Sequence, residues 1–279
     1  MIKHLKDLLN PKTLSNMTAL IVAAHPDDET VGAGSLMPTF RRLSIVHVTD
    51  GAPRDMKDAF HAGYCSRSGY ANARRMELFQ ALRLARGESL DCSCLGYVDQ
   101  EAAFNLSEIT RKVLDIVETV RPDLVLSHSY EGGHPDHDST AFGIHMALRM
   151  LKHNDGYGPT LIEFPSYNNH SGHASFLEFL PVPGFQELVK TLSPAELEKK
   201  RRMVESFVSQ KSFLKVFPLQ LERFRFAPGY DFNVPPHQGK LYYENHDWGV
   251  NGKTWRALAK KACLKLRGGI RTNPVIQGH

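Results

Sequence analysis

Two short polar clusters, each placed directly after an apolar run, constrain this chain more than any other feature. The first is Ala23-Ala24-His25-Pro26-Asp27-Asp28-Glu29-Thr30, and the run before it is Thr18-Ala19-Leu20-Ile21-Val22. The second is His134-Pro135-Asp136-His137-Asp138, which follows Asp123-Leu124-Val125-Leu126-Ser127. Short apolar runs with β-branched residues read as buried strands, so each cluster lies beyond a strand end. In open α/β sheets the ligand crevice lies outside the carboxyl ends of strands. Crowded carboxylates repel one another unless a cation is present, so the expectation is a metal site fed by two strand ends. His25, one Asp of the first cluster and one His of the second supply three N/O ligands, leaving a fourth position for water as in catalytic zinc sites. Spacing leaves the carboxylate ligand open. His25 and Asp28 are an i, i+3 pair able to face one point around a tight turn, and His25 with Asp27 serves as well.

The remaining periodicities predict alternating strands and helices. Ser44–Thr49 reads as a second strand ending in Thr49-Asp50-Gly51. Residues 71–86 read as a helix with Met76, Leu78, Phe79, Leu82 and Leu84 at helical spacing. A third strand follows over 90–98, then a helix opened by Ser107 as N-cap, and later a helix over 137–151 and a strand over 160–164. This alternation predicts an α/β fold: a three-layer, Rossmann-like, mostly parallel sheet. After residue 166 the rhythm changes. A helix is expected from Ser193-Pro194 to about Lys211, and the Pro-, Gly- and aromatic-rich stretch 217–252 reads as a cover of loops, packed by Trp248 and Trp255. The expectation is a single domain over residues 1–279, with a core over 17–170 and a C-terminal extension over 171–279.

Composition removes several classes. A net charge of +4 is too small to argue for nucleic acid. No apolar run reaches the roughly 20 residues of a membrane span. The segment Met1–Asp7 has no signal-peptide core, so a cytoplasmic location is expected. Cys65, Cys92, Cys94 and Cys263 read as plain thiols. The basic tail helix, with Arg256, Lys260, Lys261 and Lys265, reads as a solvated face.

Amide hydrolysis needs an activated water, a polarised carbonyl and a proton for the departing amine, and the clusters hold a candidate for each task. Ala24-His25-Pro26-Asp27-Asp28-Glu29 with the later His134-Pro135-Asp136-His137 resembles the paired signatures of the PIG-L/LmbE-like family of zinc-dependent N-acetylglucosaminyl deacetylases. Thr49-Asp50-Gly51 and Arg74-x-x-Glu77 add to the likeness, which covers about residues 17–170. The resemblance implies Zn2+, with Fe2+ or another divalent ion as alternative, on His25, Asp28 and His137. It implies Asp27 as general base, His134 as the imidazolium that stabilises the oxyanion, and Asp136 orienting His134. Arg74 matches a substrate-contacting position; Asp99 and Asp50 are further substrate-binding candidates. Some members carry a mobile Tyr two residues before the first His of the second motif. Gly132 stands there in this chain, and Tyr130 is the nearby candidate for that role.

Plainer roles are set beside these. Glu29 reads as structural, bonding backbone amides. Arg74 is spaced to pair with Glu77, and Tyr167, His170 and His173 read as loop residues. Two His and one carboxylate also describe the facial triad of non-haem Fe(II) enzymes, although strand–helix alternation is the wrong scaffold for it. A metal-bearing sugar-binding module would not need the acid–base pair Asp27 and His134. The expected partner is a small amino-sugar conjugate, with nucleotide and lipid linkage and oligomeric state left open.

Overall fold

The computed structural model describes residues 2–87 and 90–267. In chain order the strands are β1 (Thr18–Ala23), β2 (Arg42–Pro53), β3 (Asp91–Asp99), β4 (Leu124–His128), β5 (Thr160–Phe164), β6 (Tyr167–Asn168), β7 (Ser175–Phe176), β8 (Glu187–Thr191) and β9 (Leu221–Phe226). The helices are α1 (Pro11–Leu14), α2 (Asp28–Ala33), α3 (Lys57–His61), α4 (Arg67–Arg86), α5 (Leu106–Val120), α6 (Pro135–Asp155), α7 (Pro194–Glu205), α8 (Lys211–Leu214) and α9 (Gly252–Arg267).

The main sheet has the order β3-β2-β1-β4-β5-β9-β8. Its first five strands are parallel, and β9 and β8 join antiparallel. The chain starts at β1, winds outward to β3, then returns to β4 on the other flank of β1. The switch point therefore lies between β1 and β4, where Val22 pairs with Ser127. Their carboxyl ends carry the two polar clusters, so the topology itself brings the clusters together.

Both faces of β1 are covered. Ala19, Ile21 and Ala23 pack in one apolar layer with Leu78 and Leu82 of α4 and Met203 of α7. Leu20 and Val22 pack in the other with Ile109, Val113 and Val117 of α5 and Ile144 and Leu151 of α6. A strand buried on both sides reads as continuous apolar sequence, which is why Thr18–Val22 lacks alternation.

Three expectations change. The buried stripe of α4 runs through Tyr70, Arg74, Leu78, Ala81, Leu82 and Ala85, whereas Met76 and Phe79 face solvent. Helix α5 begins at Leu106 with Asn105 at its N-cap position, two residues ahead of the expected Ser107. The region after residue 170 is more than a cover, because β8 and β9 extend the sheet. There Lys200 Nζ meets Glu222 Oε1 at 2.8 Å, both side chains fully buried. Lys200 also donates to the Val31 carbonyl, and Glu222 accepts from the backbone and hydroxyl of Ser35. Residues 194–226 are thus tied to the segment that carries the first cluster. Helix α9 does the same for the second: buried Trp255 donates its indole N–H toward the Pro135 carbonyl and Ser139 hydroxyl of α6.

Breaking a buried ion pair on one side strands the other charge. Glu222→Ala is expected to lose about 3–5 kcal/mol of unfolding free energy; a denaturant midpoint equal to that of the parent chain would refute this account of the pair.

Candidate active site

The first cluster turns sharply. β1 ends at Ala23 and α2 starts at Asp28, so Ala24-His25-Pro26-Asp27 forms the whole turn. Asp27 has φ 143°, a region L residues rarely adopt. Three contacts hold it there. Its N–H donates to Glu29 Oε2 at 3.1 Å, its Oδ2 accepts from Arg74 Nη2 at 2.7 Å, and the same Arg74 nitrogen donates to the Pro26 carbonyl at 3.0 Å. Glu29 is fully buried and also meets His47 Nε2 at 2.8 Å. His47 comes from the interior of β2, where burial lowers its basicity but bonds to Cys92 and Glu29 more than compensate and raise it to about 10.

Helix α6 delivers the second cluster. His134 is its N-cap residue, and its Nδ1 accepts the Asp136 N–H at 3.1 Å. His137 lies one position beyond Asp136 and points its Nε2 at the first cluster. His137 Nε2 is 3.2 Å from His25 Nδ1 and 3.3 Å from Asp28 Oδ1, and His25 Nδ1 is 3.3 Å from Asp28 Oδ2. Ligands held at 2.0–2.1 Å from a tetrahedral ion are separated by about 3.3 Å, so this spacing fits a zinc-sized dication. The ring of His25 is backed by carboxylates: Nε2 lies 3.1 Å from Asp99 Oδ1 and 3.3 Å from Asp136 Oδ2. That arrangement orients a metal-bound imidazole. Burial opposes protonation of His25, yet Asp99, Asp136 and Asp28 overcome it and raise its basicity well above normal. Burial alone would raise Asp28, but His137 and His128 hold it well below the usual carboxylate range. The site therefore attracts positive charge.

His128, at the end of β4, was not singled out from the sequence. Its Nε2 lies 3.2 Å from Asp28 Oδ2, and its ring stacks on His137 at 4.2 Å between centroids. Three overlapping groups with metal-binding capacity occur among the described residues: His25/His134/His137, His25/Asp99/His134/Asp136 and Asp28/His128/His137. The Ala24 N–H donates to His128 Nε2 at 3.1 Å, which uses that lone pair and argues against His128 as a ligand. A strand-end His following Leu124-Val125-Leu126-Ser127 was the available signal.

The remaining sequence candidates divide. Asp27, Arg74, Asp99, His134 and Tyr167 line a cleft of about 290 Å³ above the convergence point. Arg74 ignores Glu77, which accepts from Ser209 instead. Asp136 does not orient His134 through its carboxylate: its Oδ atoms accept from the Gln100 and Ala102 backbone, and only its N–H reaches the His134 ring. Because Nδ1 of His134 accepts, its hydrogen sits on Nε2, and the ring is a neutral donor, not the expected imidazolium. Burial, reinforced by His25, lowers its basicity well below normal. Asp50 bonds Arg67 at 2.6 Å and is absent from the cleft lining. Tyr130 packs against Trp255 and Phe232 behind the site, with its hydroxyl on the Val234 carbonyl, so it too is outside the cleft. Trp248, expected to pack the cover, lies 4.4 Å from the His134 ring and lines the cleft.

Gly133 explains how the second cluster fits. A Cβ there would sit 1.9 Å from the Tyr167 carbonyl oxygen. Gly133→Ala must push β6 away from the site; the expected cost is about 1–3 kcal/mol in stability, read by thermal denaturation, and an unshifted Tm would contradict it.

Residues 20–148 match the family described as PIG-L: GlcNAc-PI de-N-acetylase. A probable N-acetyl-alpha-D-glucosaminyl L-malate deacetylase 2 of Bacillus anthracis is 28% identical over 201 residues, covering 70% of this chain and 84% of that protein. A 1D-myo-inositol 2-acetamido-2-deoxy-alpha-D-glucopyranoside deacetylase of Salinispora arenicola is 24% identical, covering 64% of this chain and 67% of its own. Among solved structures, the zinc-inhibited form of the teicoplanin deacetylase Orf2 shares the fold, with a TM-score of 0.60 at 16% identity over 75% of this chain and 97% of its own. No described helix is long and apolar enough to cross a membrane.

Proposed function

We propose, from the match of residues 20–148 to the PIG-L family, that this chain is a metal-dependent hydrolase that removes the acetyl group from an N-acetylated amino-sugar conjugate. One observation carries this reading: two imidazoles and a carboxylate converge at 3.2 Å and 3.3 Å beside a second, non-converging carboxylate, Asp27. Relatives named as deacetylases of glucosaminyl malate and of an inositol glucosaminide support the substrate class.

His25, Asp28 and His137 would hold the dication, for which zinc suits the two nitrogens and one oxygen. When bound, such an ion lowers the pKa of its water to about 7 and polarises a carbonyl. The chain supplies the rest. Asp27 takes the proton of the attacking water. Burial pushes its carboxyl up to about 7, against the pull of Arg74, which places it near the pH at which a general base works best. Arg74 holds Oδ2 and leaves Oδ1 for that proton. Asp27 then passes it to the departing amine. His134 presents its Nε2–H to the oxygen that gains charge, with the ring fixed by the Asp136 amide. Asp99, at His25 Nε2, sets the ring that faces the metal position.

Metal content and acetate release separate these roles. Asp28→Ala is expected to lose both. Asp27→Asn should keep its metal while kcat falls about 10²–10⁴-fold, the range for a lost acid–base group. His134→Ala should keep its metal and lose about 10²–10³-fold, the range for one oxyanion donor. An Asp27→Asn protein that retains metal and full turnover would remove the assigned base.

A further inference from the structure

A second cavity touches the turn that carries the first cluster. It holds about 490 Å³ and is lined by Pro26 of that turn, His47 of β2, Cys92 and Cys94 of β3, and Asn72 and Phe79 of α4, among others. Its volume suits a small organic molecule. Pro26 faces this cavity, whereas its neighbours His25 and Asp27 line the cleft, and among the described residues the two linings share none.

A chain of three side chains leads from this cavity to the assigned base. Cys92 Sγ lies 3.9 Å from His47 Nδ1, within hydrogen-bond range for sulfur. His47 Nε2 meets Glu29 Oε2 at 2.8 Å, and the same oxygen accepts the Asp27 N–H at 3.1 Å. Glu29 also accepts from the Thr30 hydroxyl, so it acts as acceptor throughout and the hydrogen of the His47 contact sits on Nε2. His47 Nδ1 is then left to accept the thiol proton. Cys92 is half-buried and reachable from the cavity, while His47 and Glu29 are almost wholly buried. A thiol beside a basic imidazole passes readily to the nucleophilic thiolate. Cys94 is placed otherwise: its Sγ donates to the Thr49 carbonyl at 3.2 Å and accepts the Gly96 N–H at 3.3 Å. Acetate release uses neither thiol.

We propose that Cys92 is a site of reversible modification by a small organic disulfide seated in this cavity, and that the Cys92–His47–Glu29 chain carries the change to Asp27. Cys92 gives its proton to His47 Nδ1 and its sulfur attacks one sulfur of the disulfide. The Cys92–sulfur bond forms, the original S–S bond breaks, and the departing thiolate takes the proton to leave as a free thiol. The group now on Cys92 ends the thiol contact that His47 had. The ring no longer holds Glu29 as before, and Glu29 is one of the contacts that keep Asp27 at φ 143°. The effect on turnover rests on the deacetylase reading; the modification itself does not.

The test treats the metal-loaded full chain with bis(2-hydroxyethyl) disulfide and follows each thiol by peptide mass mapping. Cys92 is expected to be labelled ahead of Cys65, Cys94 and Cys263, a comparison that needs no variant. His47→Gln should slow labelling of Cys92 about tenfold or more, since it removes the proton acceptor. In the labelled protein kcat for acetate release should fall by up to about 10²-fold, the cost of a misplacement of about 1 Å, with metal content unchanged and activity restored by dithiothreitol. Cys92→Ser should keep acetate release and lose its sensitivity to the disulfide. Labelling of any other thiol as fast as Cys92, or an unchanged rate in a folded His47→Gln chain, overturns the site. Full kcat with Cys92 labelled overturns the link to Asp27. An unlabelled parent chain that releases no acetate from N-acetylglucosamine conjugates overturns the deacetylase reading and the link with it, while mass mapping still decides the site.

Discussion

Buried negative charge is the constraint that the rest of the structure answers. Asp28, Asp99 and Asp136 lie 3.1 Å to 3.3 Å from the His25 ring nitrogens and Asp27 lines the same cleft, all of them buried or nearly so. Withdrawing even one ionised carboxylate from water costs several kcal/mol unless partners replace the lost hydration. The chain provides partners of three kinds. Arg74 neutralises Asp27, backbone amides at Gln100 and Ala102 hold Asp136, and the N-terminal end of the long helix α6 favours the acidic groups in its first turn. What these leave uncompensated is the point between His25, Asp28 and His137, and that remainder is where a dication fits.

Such a site is costly to shape, and the surrounding fold bears the cost. Asp27 holds a backbone angle that persists only where neighbours over-determine it. Glu29, the Arg74 guanidinium and, behind them, His47 do that. The C-terminal region acts at longer range. Lys200 and Glu222 tie the later strands to Val31 and Ser35, just past the first cluster, and Trp255 braces the start of α6 at the second. The same region sends Trp248 back to the His134 ring. Residues that form no part of the two motifs therefore fix the motifs in place and close the cleft over them.

Legibility in the sequence followed physical range. The placement of His25, Asp28 and His137 beyond strand ends was readable because each motif is contiguous and each follows an uninterrupted apolar run. β1 and β4 were readable for the same reason, since strands buried on both faces announce themselves as apolar runs, whereas β3 is a largely exposed edge strand. His128 and His47 were not, because a single His at or inside a strand carries no periodic signal. Tyr130 and Asp50 were misplaced because nearness in sequence says nothing about which side of a strand end a ring or carboxylate will take. Met76 and Phe79 kept a helical spacing but fell off the stripe that Tyr70, Arg74, Leu78 and Leu82 share.

By itself the sequence determined the local facts: where strands stop, which imidazoles and carboxylates stand there, and that their crowding calls for a cation. These follow from short-range chemistry along the chain. Only the tertiary structure decided how the groups divide the work. The β1–β4 switch point brings donor atoms of three residues to 3.2 Å and 3.3 Å, the Arg74 contact sets Asp27 apart from Asp28, and the Asp136 amide donates to the His134 ring. The His25–His137 approach joins residues 112 positions apart and the Arg74–Asp27 contact residues 47 apart, and no local pattern encodes either.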